Sequence, residues 1–364
     1  MRGARDVRSQ VTSKVQTDFR CGRPMAGYLA AIVLAGSGVV AAADAPSSDA
    51  PRISQEASRA TRLILLGTDG GSNVSLVRSE PASLLVVHGK PYLIDVGEGV
   101  TYQLVKAGFQ PASIYRVFIT HHHADHNAGL EPLMFLQWSR RGLESLDSVP
   151  VEIYGPPATQ FLVNITLDYI GVGERIWHAG VMQSRPAAPM FHAHDIDHDG
   201  SAYRDELVRV TAVENSHFSF PSRSPSGKDR SLAYRFDTPE GSVVFTGDTG
   251  PSEPVERLAR DADVLVSEVF AASAGDVANY VPKTEIEWQM ALHMAREHLT
   301  PEEVGRLAAA AHVKMVLLTH FVPGREVEDM SVFTEGVKRH FAGPVIAGKD
   351  LFEYDLFQPT DPKK

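Results

Sequence analysis

Four ligand-type side chains fall within six residues: His121, His123, Asp125 and His126, in the segment Thr120-His121-His122-His123-Ala124-Asp125-His126-Asn127-Ala128-Gly129. Neutral imidazole and carboxylate suit zinc, and also iron or manganese. At this spacing the four cannot all face one way. A tight loop can aim two imidazoles at one ion, and the Asp with the last His at a second. A surface histidine cluster is the competing reading. The segment is internal and follows a buried-type run, Arg116–Ile119, which argues against that reading.

Three later residues have matching chemistry. His217 follows the strand-like run Leu207–Val213, Asp248 follows Ser242–Phe245, and His320 follows Met315–Leu317. Each stands at the end of a hydrophobic run, where sheet proteins place site residues. The first motif likewise lies between a strand and a helical pattern, Ala128–Trp138. Asp95 ends another buried run. It reads equally well as a turn residue or as a carboxylate orienting a metal-bound histidine.

With these pieces in this order, the chain resembles the metallo-β-lactamase-fold hydrolases from about Arg62 to Phe357. It is most similar to the branch holding the ribonuclease Z enzymes and the zinc-dependent alkyl- and arylsulfatases. The closer match rests on Leu66-Gly67-Thr68-Asp69-Gly70-Gly71, Ile94-Asp95-Val96-Gly97-Glu98-Gly99, Tyr154-Gly155-Pro156, Gly247-Asp248-Thr249, Ser267-Glu268-Val269 and Leu318-Thr319-His320-Phe321. The resemblance implies an α/β fold, an αββα sandwich of two packed mixed sheets flanked by helices, and strand–helix alternation agrees.

The resemblance also implies a two-metal site. His121, His123 and His217 would hold one ion and Asp125, His126 and His320 the other, with Asp248 reaching both. Two Zn2+ are expected, with Mn2+ or Fe as alternatives. Asp125, Glu268 and His298 are the expected catalytic residues. The branch commonly has His-Glu where this chain has Ser267-Glu268. His298-Leu299-Thr300 keeps two residues of the branch's His-Ser-Thr motif. His298 sits just before a capping box, Thr300-Pro301-Glu302-Glu303, which starts a helix. His122 should point away from the metals. Gly67–Ser72 reads as a turn bringing backbone near the site. No Lys-Ser/Thr follows it, so a nucleotide-binding loop is unsupported.

Three segments lie outside this pattern. Residues 1–45 read as a leader with a secretory signal, with the apolar Tyr28–Ala43 after Arg20 and Arg23 and with Met25 as a candidate start. Residues 46–60 read as a flexible linker, and 61–364 as the catalytic domain. The single cysteine, Cys21, would leave with the leader, so the remaining chain offers no disulfide and no thiolate ligand. Asp195–Glu206 matches a calcium-loop template. It lacks flanking helices, so it reads as the acidic turn of a hairpin. The loop after His217 carries Phe218, Phe220, Arg223 and Lys228; Phe218, Arg223 and Lys228 are candidate substrate contacts.

The formal net charge is −10. Residues 1–45 hold six Lys/Arg and three Asp/Glu, so removing them leaves 29 basic and 42 acidic residues, a net of −13. Such a balance is a poor general platform for phosphate backbones. The combined expectation is an exported hydrolase, periplasmic or secreted, acting on small sulfate or phosphate esters, with nucleic acid an unlikely partner and no membrane span in the mature form. The alternatives are a ribonuclease Z-type tRNA 3′-processing endonuclease, or a lactonase or β-lactamase.

Overall fold

The computed structural model describes residues 61–71, 75–141, 149–180, 185–218, 229–270, 283–322 and 329–356. The expected leader and linker, and Phe220, Arg223 and Lys228, lie outside these residues.

Two seven-stranded mixed sheets form the frame. The first has the order β14-β1-β2-β3-β4-β5-β6, built from β1 (Thr61–Gly67), β2 (Ala82–Val87), β3 (Lys90–Ile94), β4 (Arg116–Phe118), β5 (Val151–Gly155), β6 (Phe191–Asp195) and β14 (Phe352–Asp355). The second has the order β13-β12-β11-β10-β9-β8-β7, from β7 (Gly200–Arg204), β8 (Arg209–Glu214), β9 (Leu232–Asp237), β10 (Ser242–Phe245), β11 (Val264–Phe270), β12 (Met315–Val322) and β13 (Val345–Ala347).

The strands are near-continuously apolar because both faces of each sheet are covered. Along β1, Leu63 and Leu65 face the layer between the sheets, where they meet Phe118, Phe236 and Leu317. Ile64 and Leu66 face the other way, into a layer shared with α1 (Val100–Lys106), α3 (Leu130–Arg141) and α4 (Thr159–Ala179). The outer face of the second sheet packs on α5 (Glu253–Ala259), α7 (Pro301–Ala310) and α8 (Ser331–Lys338) through Val244, Leu265, Val316, Val304 and Val337. Four layers result, as the sequence predicts. Among the described residues no helix is long and apolar enough to cross a membrane.

Several local expectations change. Asp195–Glu206 is not a hairpin turn: β6 and β7 lie at the edges of different sheets, so the turn carries the chain from one sheet to the other. Nor do its acids converge as a calcium loop would. Asp195 accepts from the Ala158 and Gln160 N–H groups at the start of α4, Asp199 accepts from Glu214 N–H and pairs with Arg230, and Glu206 pairs with Lys90. The helix expected over Ala128–Trp138 is found as α3 (Leu130–Arg141), with a separate single turn, α2 (Ala124–Asn127), before it. Helix α4 runs unbroken for 21 residues. Strand β9, strand β7 and α6 (Glu285–Glu297) were not anticipated.

Candidate metal and catalytic centre

The site gathers where strands of both sheets end. After β4 the chain is extended through His123, then turns into α2. That change of direction splits the motif: His121 and His123 precede the turn, while Asp125 and His126 sit buried on it. The loop is pinned from behind. Val96 N–H donates to the His126 carbonyl at 2.9 Å and Gly129 N–H to the Val96 carbonyl at 2.7 Å. Gly97 is required there, because a Cβ on it would stand 2.4 Å from the Asp125 carbonyl oxygen. On the second sheet, the ladder between β11 and β12 shifts register between Ser267 and Val269. This bulge, with His320 at φ 46°, turns the His320 side chain into the site.

Two clusters of ligand atoms result. His121 Nε2 and His217 Nε2 each lie 3.1 Å from His123 Nδ1. In the second cluster, His320 Nε2 is 3.4 Å from Asp125 Oδ2 and 3.2 Å from Asp248 Oδ2, and His126 Nε2 is 3.4 Å from Asp248 Oδ1. Asp248 joins the two, since its Oδ2 is also 3.9 Å from His121 Nε2 and 4.0 Å from His217 Nε2. All seven expected ligands therefore converge, in the expected grouping.

The donor set fits divalent metal. His126 Nε2, His320 Nε2 and Asp248 Oδ1 are buried, have no hydrogen-bond partner, and face one another. Buried polar atoms left this way ask for an ion. Burial pushes the His121 imidazole far below its ordinary range and His217 down to about 3, and it lowers His123 as well. These three are neutral at physiological pH, the form that ligates. In the second cluster burial opposes every charge, yet the charges win. Asp248 is held well below the usual carboxylate range by His320 and His126, and Asp125 is lowered by the same two. Asp248 in turn raises His126 strongly and His320 to about 10. Two buried carboxylates thus require positive charge beside them, which a divalent cation supplies with the imidazoles neutral.

Supporting groups fix the ligands. Asp95, at φ 59°, accepts from the Thr120 N–H at 2.7 Å, and its Oδ2 lies 2.9 Å from His126 Nδ1. It therefore orients a ligand rather than merely ending a strand. His217 Nδ1 donates to the Glu297 carbonyl at 2.9 Å, which turns Nε2 toward the site. The Gly71 N–H donates to Asp125 Oδ2 at 3.0 Å, confirming the close approach of the glycine turn. His122 points away, within 3.4 Å of the Pro156 carbonyl and 3.3 Å of Thr159 Oγ1. Asp95→Asn is expected to weaken metal binding by roughly 10–100-fold, the usual loss when a ligand's outer partner is removed. Competition against a chelator measures this; unchanged affinity would mean that His126 is oriented without Asp95.

Beside Asp248 stands a second acid–imidazole pair. His298 Nδ1 is 2.7 Å from Glu268 Oε2 and 4.0 Å from Asp248 Oδ2. The other Glu268 oxygen accepts from the Thr249 N–H at 2.6 Å. Burial works against the imidazolium, but Glu268 prevails and raises His298, while burial raises Glu268. Phe218 lies over the first cluster, its ring centre 5.1 Å from that of His217 and 5.3 Å from that of His123. His293 was missed by sequence reading. Its ring lies 5.3 Å from His298 and 5.4 Å from His217, on a helix that gave no periodic signal.

The sandwich and the ligand set define a metal-dependent hydrolase of the metallo-β-lactamase fold. The beta-lactamase superfamily domain family matches residues 91–321, well over half of the chain, and the protein belongs to that superfamily. Among similar proteins, ribonuclease Z of Mycobacterium avium (strain 104) is 28% identical over 298 residues, covering 81% of this chain and 98% of that protein. Ribonuclease Z of Mycobacterium sp. (strain KMS) is 29% identical over 261 residues, covering 71% of this chain and 83% of that protein. In fold, the chain matches the human short-form tRNase Z with a TM-score of 0.56 at 21% identity, covering 81% of this chain and 99% of that one. It matches the Bacillus subtilis metallo-β-lactamase fold protein YhfI with the same score at 20% identity, covering 81% of this chain and 99% of that one.

These findings support the ribonuclease Z branch and correct two expectations. The main reading, an exported hydrolase of small sulfate or phosphate esters, gives way to its alternative: the relatives aligned along nearly their whole length are named ribonuclease Z. The exclusion of nucleic acid falls with it. It rested on net charge, which sums over the whole surface and does not locate the basic groups that would face a substrate.

Proposed function

We propose that this chain is a ribonuclease Z-type phosphodiesterase that cleaves precursor tRNA on the 3′ side. The observation that carries the proposal is the buried Glu268–His298 pair, 4.0 Å from Asp248, in a chain whose ribonuclease Z relatives align along 98% of their length. Two divalent ions, with zinc the first candidate, would be held by His121, His123 and His217 and by Asp125, His126 and His320, with Asp248 in reach of both. When bound, such ions neutralise charge on a phosphoryl group and lower the pKa of water.

The chain's own groups do the rest. Asp125, fixed by the Gly71 N–H, offers a carboxylate that orients the attacking water. Burial works against the His298 imidazolium, but Glu268 stabilises it and raises its pKa above the ordinary value, which favours the protonated form a general acid needs. The His298 Nδ1 is taken by Glu268 at 2.7 Å, which leaves Nε2 as the nitrogen that would protonate the departing ribose oxygen. Phe218 shields the first cluster from water and offers a ring face to a base.

The test is cleavage of a 3′-extended precursor tRNA by metal-reconstituted full-length protein. The expected product ends at one site. Cleavage should also weaken steeply as salt rises, because RNA binding releases counterions. A fully metallated enzyme that leaves the precursor intact at low salt would overturn the proposal.

A further inference from the structure

The last turns of α6 carry an imidazole outside the seven-ligand set. His293 Nδ1 lies 2.5 Å from Glu297 Oε2, one helical turn on. The Glu297 carbonyl is also the acceptor that orients His217, so this turn of helix is locked to the centre. The His293 ring stands 5.3 Å from that of His298, at 88° to it, 5.4 Å from His217 and 6.1 Å from His123. One ring nitrogen of each of His217, His293 and His298 lies within 4.8 Å of the others. His293 is the outermost of the three: its side chain is 27% exposed, against 0 and 5% for His217 and His298.

Two carboxylate–imidazole pairs therefore stand side by side, Glu268–His298 inside and Glu297–His293 toward solvent. Their hydrogen bonds fix what each offers. A carboxylate only accepts, so His293 Nδ1 carries the proton and donates it to Glu297. Nε2 of the neutral ring, on the far side from Glu297, is then an acceptor. Such an acceptor suits a hydroxyl group, not a phosphate oxygen, which has no proton to give.

His298 is placed to protonate the departing ribose oxygen. Where that oxygen is O3′, the same ribose carries a 2′-hydroxyl roughly one hydrogen-bond length away, about 2.8 Å. Two imidazoles with nitrogens this close can meet both oxygens of one such vicinal pair. Resting on the phosphodiesterase reading above, we propose that His293 accepts a hydrogen bond from the 2′-hydroxyl of the ribose whose O3′ departs. The site then selects RNA over DNA at that one nucleotide.

Binding to metal-reconstituted full-length protein tests this. The probes are two short RNAs identical except at the last ribose, which carries a 2′,3′-diol in one and is 2′-deoxy in the other. Wild type should bind the diol end about tenfold more tightly, the scale of one hydrogen bond. His293→Phe keeps a ring beside His217 and His298 and removes the acceptor. It should bind both ends equally, with metal content unchanged. Kinetics should agree: one 2′-deoxy substitution at the cleaved nucleotide of precursor tRNA should cost wild type about tenfold in kcat/KM, and His293→Phe nothing further. Equal binding of both ends by wild type, or a His293→Phe variant that keeps the full preference for the diol, would overturn the proposal. A diol preference that depends on His293, in an enzyme that leaves precursor tRNA intact, would instead remove the nuclease reading and leave this contact standing.

Discussion

Asp248→Ala is expected to lose both metal ions and to slow phosphodiester cleavage by at least about a thousandfold, more than removal of one electrostatic contact normally costs. The reason is position. Asp248 Oδ2 lies 3.2 Å from His320 Nε2, 3.9 Å from His121 Nε2 and 4.0 Å from His217 Nε2, while Oδ1 faces His126 Nε2 at 3.4 Å. Its carboxylate thus reaches members of both clusters. The residue is also 2% exposed, so its charge acts in a poorly screened interior. Removing it leaves the Nε2 atoms of His126 and His320 facing one carboxylate, Asp125, in place of two.

His217→Ala should behave differently, because His217 touches only the first cluster. Elemental analysis after reconstitution should find close to two ions per chain in the wild type, about one in His217→Ala and almost none in Asp248→Ala. Circular dichroism separates ligand loss from unfolding, and Asp248→Asn, which keeps the shape, gives a second check. Two ions retained by folded Asp248→Ala would contradict the shared-ligand arrangement.

How legible was this centre beforehand? The ligands were, because four of them sit in one short loop and the other three each follow a hydrophobic run. Which ligands converge is tertiary information, and the sequence reached it only through family resemblance. Asp95 was evenly balanced between two roles until its contact with His126 decided the matter.

Other errors share a cause: local patterns do not say what lies opposite. The Asp195–Glu206 segment reads as a hairpin turn because no helices flank it, but it carries the chain from β6 at the edge of one sheet to β7 at the edge of the other. Helix α6 gave no signal because its large apolar residues Ile286 and Trp288 are exposed, 80 and 49%, and so mark no buried face. His293 was lost with it. The substrate class is misread because a net charge of −13, counted without residues 1–45, describes the whole surface and not the site. The fold needed less. On β1, β2, β10 and β12 nearly every residue is buried, and runs with two buried faces can be placed only between covering layers.

His298→Ala is expected to keep its metal and still lose roughly 10²–10⁴-fold in turnover, the range for a missing general acid. His298 is 5% exposed and follows α6 just before the capping box that opens α7. Its backbone is thus fixed on both sides. Its ring is held by Glu268 at 2.7 Å, and Glu268 is held in turn by the Thr249 N–H. Thr249 adjoins Asp248, so the His298 imidazole and the Asp248 carboxylate are registered by one turn of chain. Glu268→Gln should lose less than His298→Ala, since the imidazole remains but its positive charge is no longer stabilised. The deciding comparison is the leaving group. A ribose oxygen departs as a poor alkoxide and needs the proton, whereas nitrophenolate does not. The loss should therefore be large on precursor tRNA and small on bis-nitrophenyl phosphate. Equal losses on both substrates, with metal content unchanged, would make His298 a packing residue rather than the acid.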